Sequence, residues 1–427
     1  MSTPSLLNIP YVIKAGTLYS QIPETGAGDF AVTRVTTPTP NRSTRINADG
    51  FIELVNDNVP RLDYPLGGAV NGCAALLVEP AATNSIRNNS MVGASAPNTL
   101  PTNWSNAGSG LTRQSVVTGT LNGIPYVDIR ISGTANNTFH DVFWDASNII
   151  AASVGQNWVA SCYLQIIAQP NPPVSYALAM REFNSGGGFL GVFTGPALSI
   201  STTSFNRFSF TRALNQATVA FVHPSLFLTL VNGQTYDFTI RIGYPQMEIG
   251  SVATSVIPTT TAAITRADEV INKTGVSSLI GQTEGTMYVE FISPSVSAGR
   301  IYAIDNGPTI TNRISIFRET ASRRLGVIVR SKLSVTNGTI GSSAATAFNA
   351  DVPNKTAYAY KSGDYALAIN GAIAASGNLT FDFNDALSYT QIAAESGQSQ
   401  GGPIRILSLA LFPNRLTNAQ LQALTTP

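Results

Sequence analysis

Arg61-Leu62-Asp63-Tyr64-Pro65-Leu66-Gly67-Gly68, running on through Cys73-Ala74-Ala75-Leu76-Leu77-Val78-Glu79-Pro80-Ala81-Ala82-Thr83-Asn84, is the stretch on which the fold turns. Arg61 to Tyr64 alternates polar and apolar residues, Pro65 to Gly68 ends the alternation, and Ala74 to Val78 is an apolar run stopped by Glu79-Pro80. That is the pattern of a strand pair at a junction. A matching signal follows at Val256-Ile257-Pro258-Thr259-Thr260-Thr261-Ala262-Ala263-Ile264-Thr265-Arg266-Ala267-Asp268. Strand-rich sequence lies between the two and again after the second, so the pair is read as the borders of an inserted β-sandwich. The fold class expected is all-β, with one short C-terminal helix.

The same residues carry a resemblance. The Arg61/Asp63/Tyr64/Pro65 segment, with Leu76-Leu77-Val78-Glu79-Pro80 and Thr83-Asn84, and the later Ile257-Pro258-Thr259 with Thr265-Arg266-Ala267-Asp268, is similar to a recurrent pattern in bacteriophage structural proteins. Those are tail-fibre, head-fibre and related appendage proteins that carry carbohydrate-binding-module-like and laminin-G-like (concanavalin-type) sandwiches. The resemblance implies a virion protein assembled in the host cytoplasm. It also implies docking to other virion proteins through the N-terminal region, a homo-oligomer with a trimer favoured, and a host-surface glycan as ligand. The motifs are architectural, so they name no sugar.

Composition agrees with a strand-and-turn protein. Only 11% of the 427 residues are charged, against about 25% in an average soluble domain. The formal net charge of +1 leaves no basic footprint for nucleic acid. No run approaches the roughly 20 apolar residues of a membrane-spanning helix, and the first ten residues lack the basic and apolar regions of a secretion signal. Cys73 and Cys162 stand too far apart in sequence to suggest a disulfide framework, and are expected as two buried thiols.

Taken in order, residues 1–84 read as a Pro- and Thr-rich leader of short strands, including a hairpin turning at Asp49-Gly50. A leader so poor in apolar runs must pack on a neighbouring subunit or on the next domain. Residues 85–269 read as a carbohydrate-binding-module-like jelly-roll. In its strand Tyr126 to Ile131, Val127, Ile129 and Ile131 should face the core while Asp128 and Arg130 face water. Residues 270–427 read as a laminin-G-like sandwich. Its hairpin should turn at Asn370-Gly371, and its closing helix should be capped by Thr417 with Gln420 three residues on.

Candidate site residues are few. His140-Asp141, set among Phe139, Phe143 and Trp144, is the densest polar-aromatic cluster. Two readings stand. It is a sugar platform, with rings on pyranose C–H faces and Asp141 or Asn137 bonding hydroxyls, or a strand whose aromatics fill the core. Trp104, in a polar loop, is the better candidate for an exposed ring than the cluster's Trp144, and Trp158 is expected in the core. Asp305, Asp382 and Asp385 suit a calcium at loop ends, although turn formation explains the same residues without a metal; no other cofactor is expected. Glu182, Glu248, Glu290, Glu319 and Glu395 fall in no acid/base pattern of a glycosidase, no Gly-x-Ser-x-Gly elbow is present, and the chain is expected not to be an enzyme. The expected function is a virion appendage presenting lectin-like domains. The alternatives are a purely structural capsid or tail component and a bacterial polysaccharide-binding protein.

Overall fold

The computed structural model describes residues 3–34, 43–64, 72–108, 110–294, 298–307, 311–319, 323–331, 335–341, 347–394 and 401–427. The Pro65–Gly68 end of the first motif, Pro38 and Pro40 of the leader and Glu395 lie outside the described residues. Among the described residues the regular structure is antiparallel β, apart from a short 3₁₀ turn and the helix Asn418–Thr425. The chain divides into two compact units. One comprises Met1–Asn41, Arg45–Ala81 and Ala267–Pro427, and the other Arg42–Thr44 and Ala82–Arg266.

In the first unit, one sheet runs Ala372–Gly377, Asp364–Ile369, Asn354–Lys361, Glu284–Ile292, Ile404–Phe412, Ala75–Val78 and Arg61–Asp63 in spatial order. Leu6–Asn8 also pairs with Ile404–Phe412, with Leu6 opposite Leu411. The second sheet runs from Ile13–Lys14 through Phe30–Thr33, Val270–Thr274 and Tyr389–Ile392 to Val335–Gly341. Met287, Val289 and Phe291 line the core between them, as their alternation predicts.

The segment 1–84 does not form a region of its own. Leu6, Leu18, Phe30, Val32, Leu76 and Val78 are buried in the same core as Ile301, Val327 and Leu409. The reason is size: strands of two to four residues cannot bury enough side chain to stand alone, so they extend sheets whose remaining strands come from the C-terminal third.

Charged residues of the opening motif fasten this arrangement. Arg61, fully buried, pairs with Glu79 at 2.8 Å and donates through Nη2 to Glu269 Oε2 at 2.7 Å. Glu269 also accepts from Arg34 Nη1 at 3.0 Å and from the backbone N–H of Glu79 at 2.8 Å. Burial works against the Arg61 charge, but the carboxylates of Glu269 and Glu79 outweigh it and raise its pKa above the ordinary arginine value. Asp63 is held in turn by Arg405 at 2.6 Å and by the Ile46 N–H at 2.7 Å.

In the second unit, a six-stranded sheet holds Ser105–Ala107, Phe139–Phe143, Val219–Thr229, Ser175–Asn184 and Phe189–Thr194 in that order, with Ile150–Ala151 paired to Val219–Thr229. A five-stranded sheet holds Thr112–Leu121, Ile124–Thr134, Thr235–Ile249, Asn157–Ala168 and Asn206–Ala213. Val127, Ile129, Ile131, Phe238, Ile240 and Ile242 are buried between the sheets. Asp128 does point away from this core, but it is only 3% exposed. Arg241 covers it with a two-pronged pair at 2.8 and 2.9 Å. The two ends of the unit lie side by side: Ala82–Asn84 pairs antiparallel with Ile264–Arg266.

Local signals match their elements. Asn370 and Gly371 both have positive φ, 47° and 84°, as a type I′ turn requires. Thr417 and Gln420 form a reciprocal capping box. Of the cysteines, Cys162 is buried but Cys73 is exposed, because it falls just before the buried run of Ala75–Val78.

Candidate functional site

Strand Phe139–Phe143 sorts the polar-aromatic cluster by its period of two. Val142 and Trp144 lie in the core, and His140 shares their side of the strand and is fully buried. Phe139, Asp141 and Phe143 point the other way, to the outer face of the six-stranded sheet. Pairing in register brings Ser225 and Phe227 alongside from Val219–Thr229. Arg181 stands opposite His223, and Phe183 opposite Phe221, from Ser175–Asn184.

Arg181 is the centre of this face. Its Nη2 donates to Asp141 Oδ2 at 2.5 Å, and Ser225 Oγ donates to Asp141 Oδ1 at 2.6 Å. Its guanidinium carbon lies 5.4, 5.6 and 5.5 Å from the ring centroids of Phe139, Phe143 and Phe189, within the range of cation–π attraction. The rings continue outward. Phe139 stacks on Phe227 at 5.9 Å, Phe143 on His223 at 4.1 Å, and Phe183 meets Phe189 edge-on at 5.7 Å. Phe189 is 54% exposed.

The electrostatics of the face are close to neutral. Burial raises the Asp141 pKa, against the pull of Ser225 and Arg181 in the other direction. Burial likewise lowers the His223 pKa, so this imidazole is neutral near pH 7, with Nε2 at 2.7 Å from the Asp145 carbonyl oxygen. An aromatic layer with one fixed ion pair can stack on apolar ligand faces and offer oriented hydrogen bonds.

The other sequence candidates sit elsewhere. The Trp104 ring is buried, and its Nε1 donates to the Asn88 carbonyl oxygen at 2.9 Å. The polar loop around it folds over the core, so neither Trp104 nor Trp144 presents a ring to solvent. Nor does His140, which faces inward. Asn137 is half-buried in the turn before Phe139, where its Oδ1 accepts from the Thr138 N–H at 2.7 Å. Only Asp141 of the five joins the outer face.

Asp305 is buried, with Oδ1 accepting from the Gly307 N–H at 2.8 Å and Oδ2 from Gln391 at 3.1 Å. This is the turn-forming role. Asp382 and Asp385 are exposed on their loop. Among the described residues no group of three or more His, Cys, Asp or Glu is placed to hold a metal ion. Arg181, Ser225, Phe183, Phe189 and Phe227 escaped sequence reading because strand pairing, which sequence order does not reveal, is what assembles them.

No protein-family model and no curated protein matches the chain. Among solved structures, the Ruminococcus gnavus IT-sialidase CBM40 bound to α2,3-sialyllactose is 15% identical over 35% of this chain and 86% of that one, with a TM-score of 0.30. Domain 4 of AbnA, a GH43 extracellular arabinanase from Geobacillus stearothermophilus in complex with arabinotriose, is 13% identical over 37% of this chain and 73% of that one, with a TM-score of 0.28. The CBM22-1–CBM22-2 tandem of Paenibacillus barcinonensis Xyn10C is 8% identical over 77% of this chain and 96% of that one, with a TM-score of 0.26. At these scores the likenesses carry nothing about the site of this chain.

Proposed function

We propose that residues 82–266 form a non-catalytic glycan-binding module. The ligand would lie across the outer face of the six-stranded sheet, against Phe139, Phe189 and Phe227 and within reach of Arg181. The observation that carries this reading is the Arg181–Asp141–Ser225 cluster set among aromatic rings: rings suit the C–H faces of sugars, and a fixed guanidinium suits their hydroxyls. Binding of this kind needs no reacting group. Each site would be weak, and repetition on an oligomer would supply avidity. The paired border motifs of the sequence support a virion appendage, with the glycan on the host surface and the N-terminal region docking to other virion proteins.

A second reading, a purely structural component, has one observation in its favour. Phe143 and His223 are 5% and 3% exposed, so part of the aromatic layer is already covered by the protein itself.

The test is a host-glycan array with the full chain, clustered on beads, alongside Phe189→Ala. The variant should lose about fivefold in signal, the loss of one stacking contact of about 1 kcal/mol, with an unchanged melting temperature. A wild-type chain that binds no host glycan even when clustered would favour the structural reading.

A further inference from the structure

At one lateral edge of the same unit, the outermost strands of the two sheets, Phe189–Thr194 and Asn206–Ala213, flank a cleft of about 460 Å³. That volume falls in the range of ordinary ligand sites. Phe193 stands opposite Met180 and Arg212 opposite Trp158 in the sheet registers. Both of those partners lie in the core, so Phe193 and Arg212 are on the inward side of their strands, at the lip of the sandwich.

The lip is built in detail. The Arg212 guanidinium carbon is 3.5 Å from the centroid of the Phe193 ring. Its Nε donates to Glu182 Oε1 at 3.0 Å and its Nη2 to Asn215 Oδ1 at 2.7 Å. Nη1 is left without a protein partner among the described residues, on a side chain that is 17% exposed and lines the cleft. The two rings lie against bare backbone. A Cβ on Gly191 would come within 3.2 Å of Phe193, and one on Gly195 within 2.9 Å of Phe210.

The charge count selects the ligand. Glu182, fully buried, neutralises Arg212, and the remaining lining side chains, among them Thr194, Phe210 and Asn215, are uncharged. A second anion would meet the Glu182 carboxylate behind the guanidinium. With Nε and Nη2 already engaged, the fork cannot grip a carboxylate along either of those edges. What remains is one free donor nitrogen and an amide, beside aromatic surface.

We propose that this edge cleft is a second ligand site, distinct from the outer face, for a neutral saccharide. Its ring C–H groups would lie on Phe193 and Phe210, and its hydroxyls would meet Arg212 Nη1 and Asn215. The proposal rests on reading the unit as a glycan binder.

The experiment is an array of neutral and acidic oligosaccharides probed with the full chain and four variants. Phe193→Ala removes the ring from the lip, and Asn215→Trp fills the cleft from beside Arg212. Asn215→Ala removes a polar group without adding bulk, and Phe189→Ala alters only the outer face. Neutral-oligosaccharide signal should fall at least tenfold in Phe193→Ala and Asn215→Trp and about fivefold in Asn215→Ala, and should persist in Phe189→Ala. A Phe193→Ala or Asn215→Trp variant that melts below the wild type is set aside, and Asn215→Ala then decides. Neutral binding that survives the cleft variants overturns the cleft site, as does binding confined to acidic glycans or abolished by Phe189→Ala alone. In those cases the outer-face reading stands. Absence of all glycan binding by the wild type overturns both.

Discussion

Glu269 receives Arg34, Arg61 and the Glu79 backbone N–H at once, and all three side chains of that set of charges are buried. Replacing it by Ala strands two guanidinium groups away from water, so Glu269→Ala should cost about 3–5 kcal/mol, seen as a lower denaturation midpoint for the unit that contains it. The tryptophans follow the same logic. Trp104→Ala and Trp144→Ala each open a core cavity and should lower stability by about 3–5 kcal/mol, so any loss of binding in them will track unfolding. His140 provides a pH signature. Burial, with Arg113 beside it, brings its pKa from 6.5 to about 4, against a backbone hydrogen bond to Gly108 that acts the other way. The unfolded chain therefore takes up this proton first as the pH falls. Stability is full above pH 6.5 and is lost progressively toward pH 4. Denaturation midpoints at pH 7 and 4.5 should differ less in His140→Gln than in the wild type. At this scale the sequence was partly readable: the cluster around Asp141 is singled out by composition alone. Which of its members face solvent depends on which side of one strand the core lies, and polar residues such as His140 do not advertise that.

Elements were more legible than residues. Apolar alternation places Val127, Ile129 and Ile131, and Met287, Val289 and Phe291, on the faces where they are found. The turn at Asn370-Gly371 and the cap at Thr417 are dictated by local chemistry that no tertiary contact overrides. Thr417 Oγ1 accepts from the Gln420 N–H at 3.3 Å while Gln420 Oε1 accepts from the Thr417 N–H at 2.9 Å. Thr417→Ala should accordingly cost about 1 kcal/mol, with Leu421, fully buried on the inner face of the helix, becoming more protease-accessible. What local chemistry could not supply was pairing. Leu6–Asn8 and Ile404–Phe412 are neighbours across nearly the whole chain length, and hydrophobic pattern alone does not specify a partner at that distance.

On the scale of the whole molecule, the two border motifs acquire a concrete meaning. Asn84 anchors one border: its Nδ2 donates to the Ile257 carbonyl oxygen at 3.1 Å, and its Oδ1 accepts from the Ile86 and Met247 N–H groups. A fragment of residues 82–266 should fold alone, with dispersed amide NMR signals and one cooperative melt. Residues 267–427 alone should not, because Leu6, Phe30, Val32, Leu76 and Val78 would be missing from their core.

The adjacent ends of Ala82–Asn84 and Ile264–Arg266 also bear on how such a protein can change over generations. A segment that enters and leaves through neighbouring strands can be exchanged by two genetic crossovers without moving the cut ends apart. The recipient keeps its Arg61–Glu79–Glu269 lock, since every member of it lies outside the exchanged segment. New recognition could thus be acquired by transplantation, with the scaffold inherited unchanged.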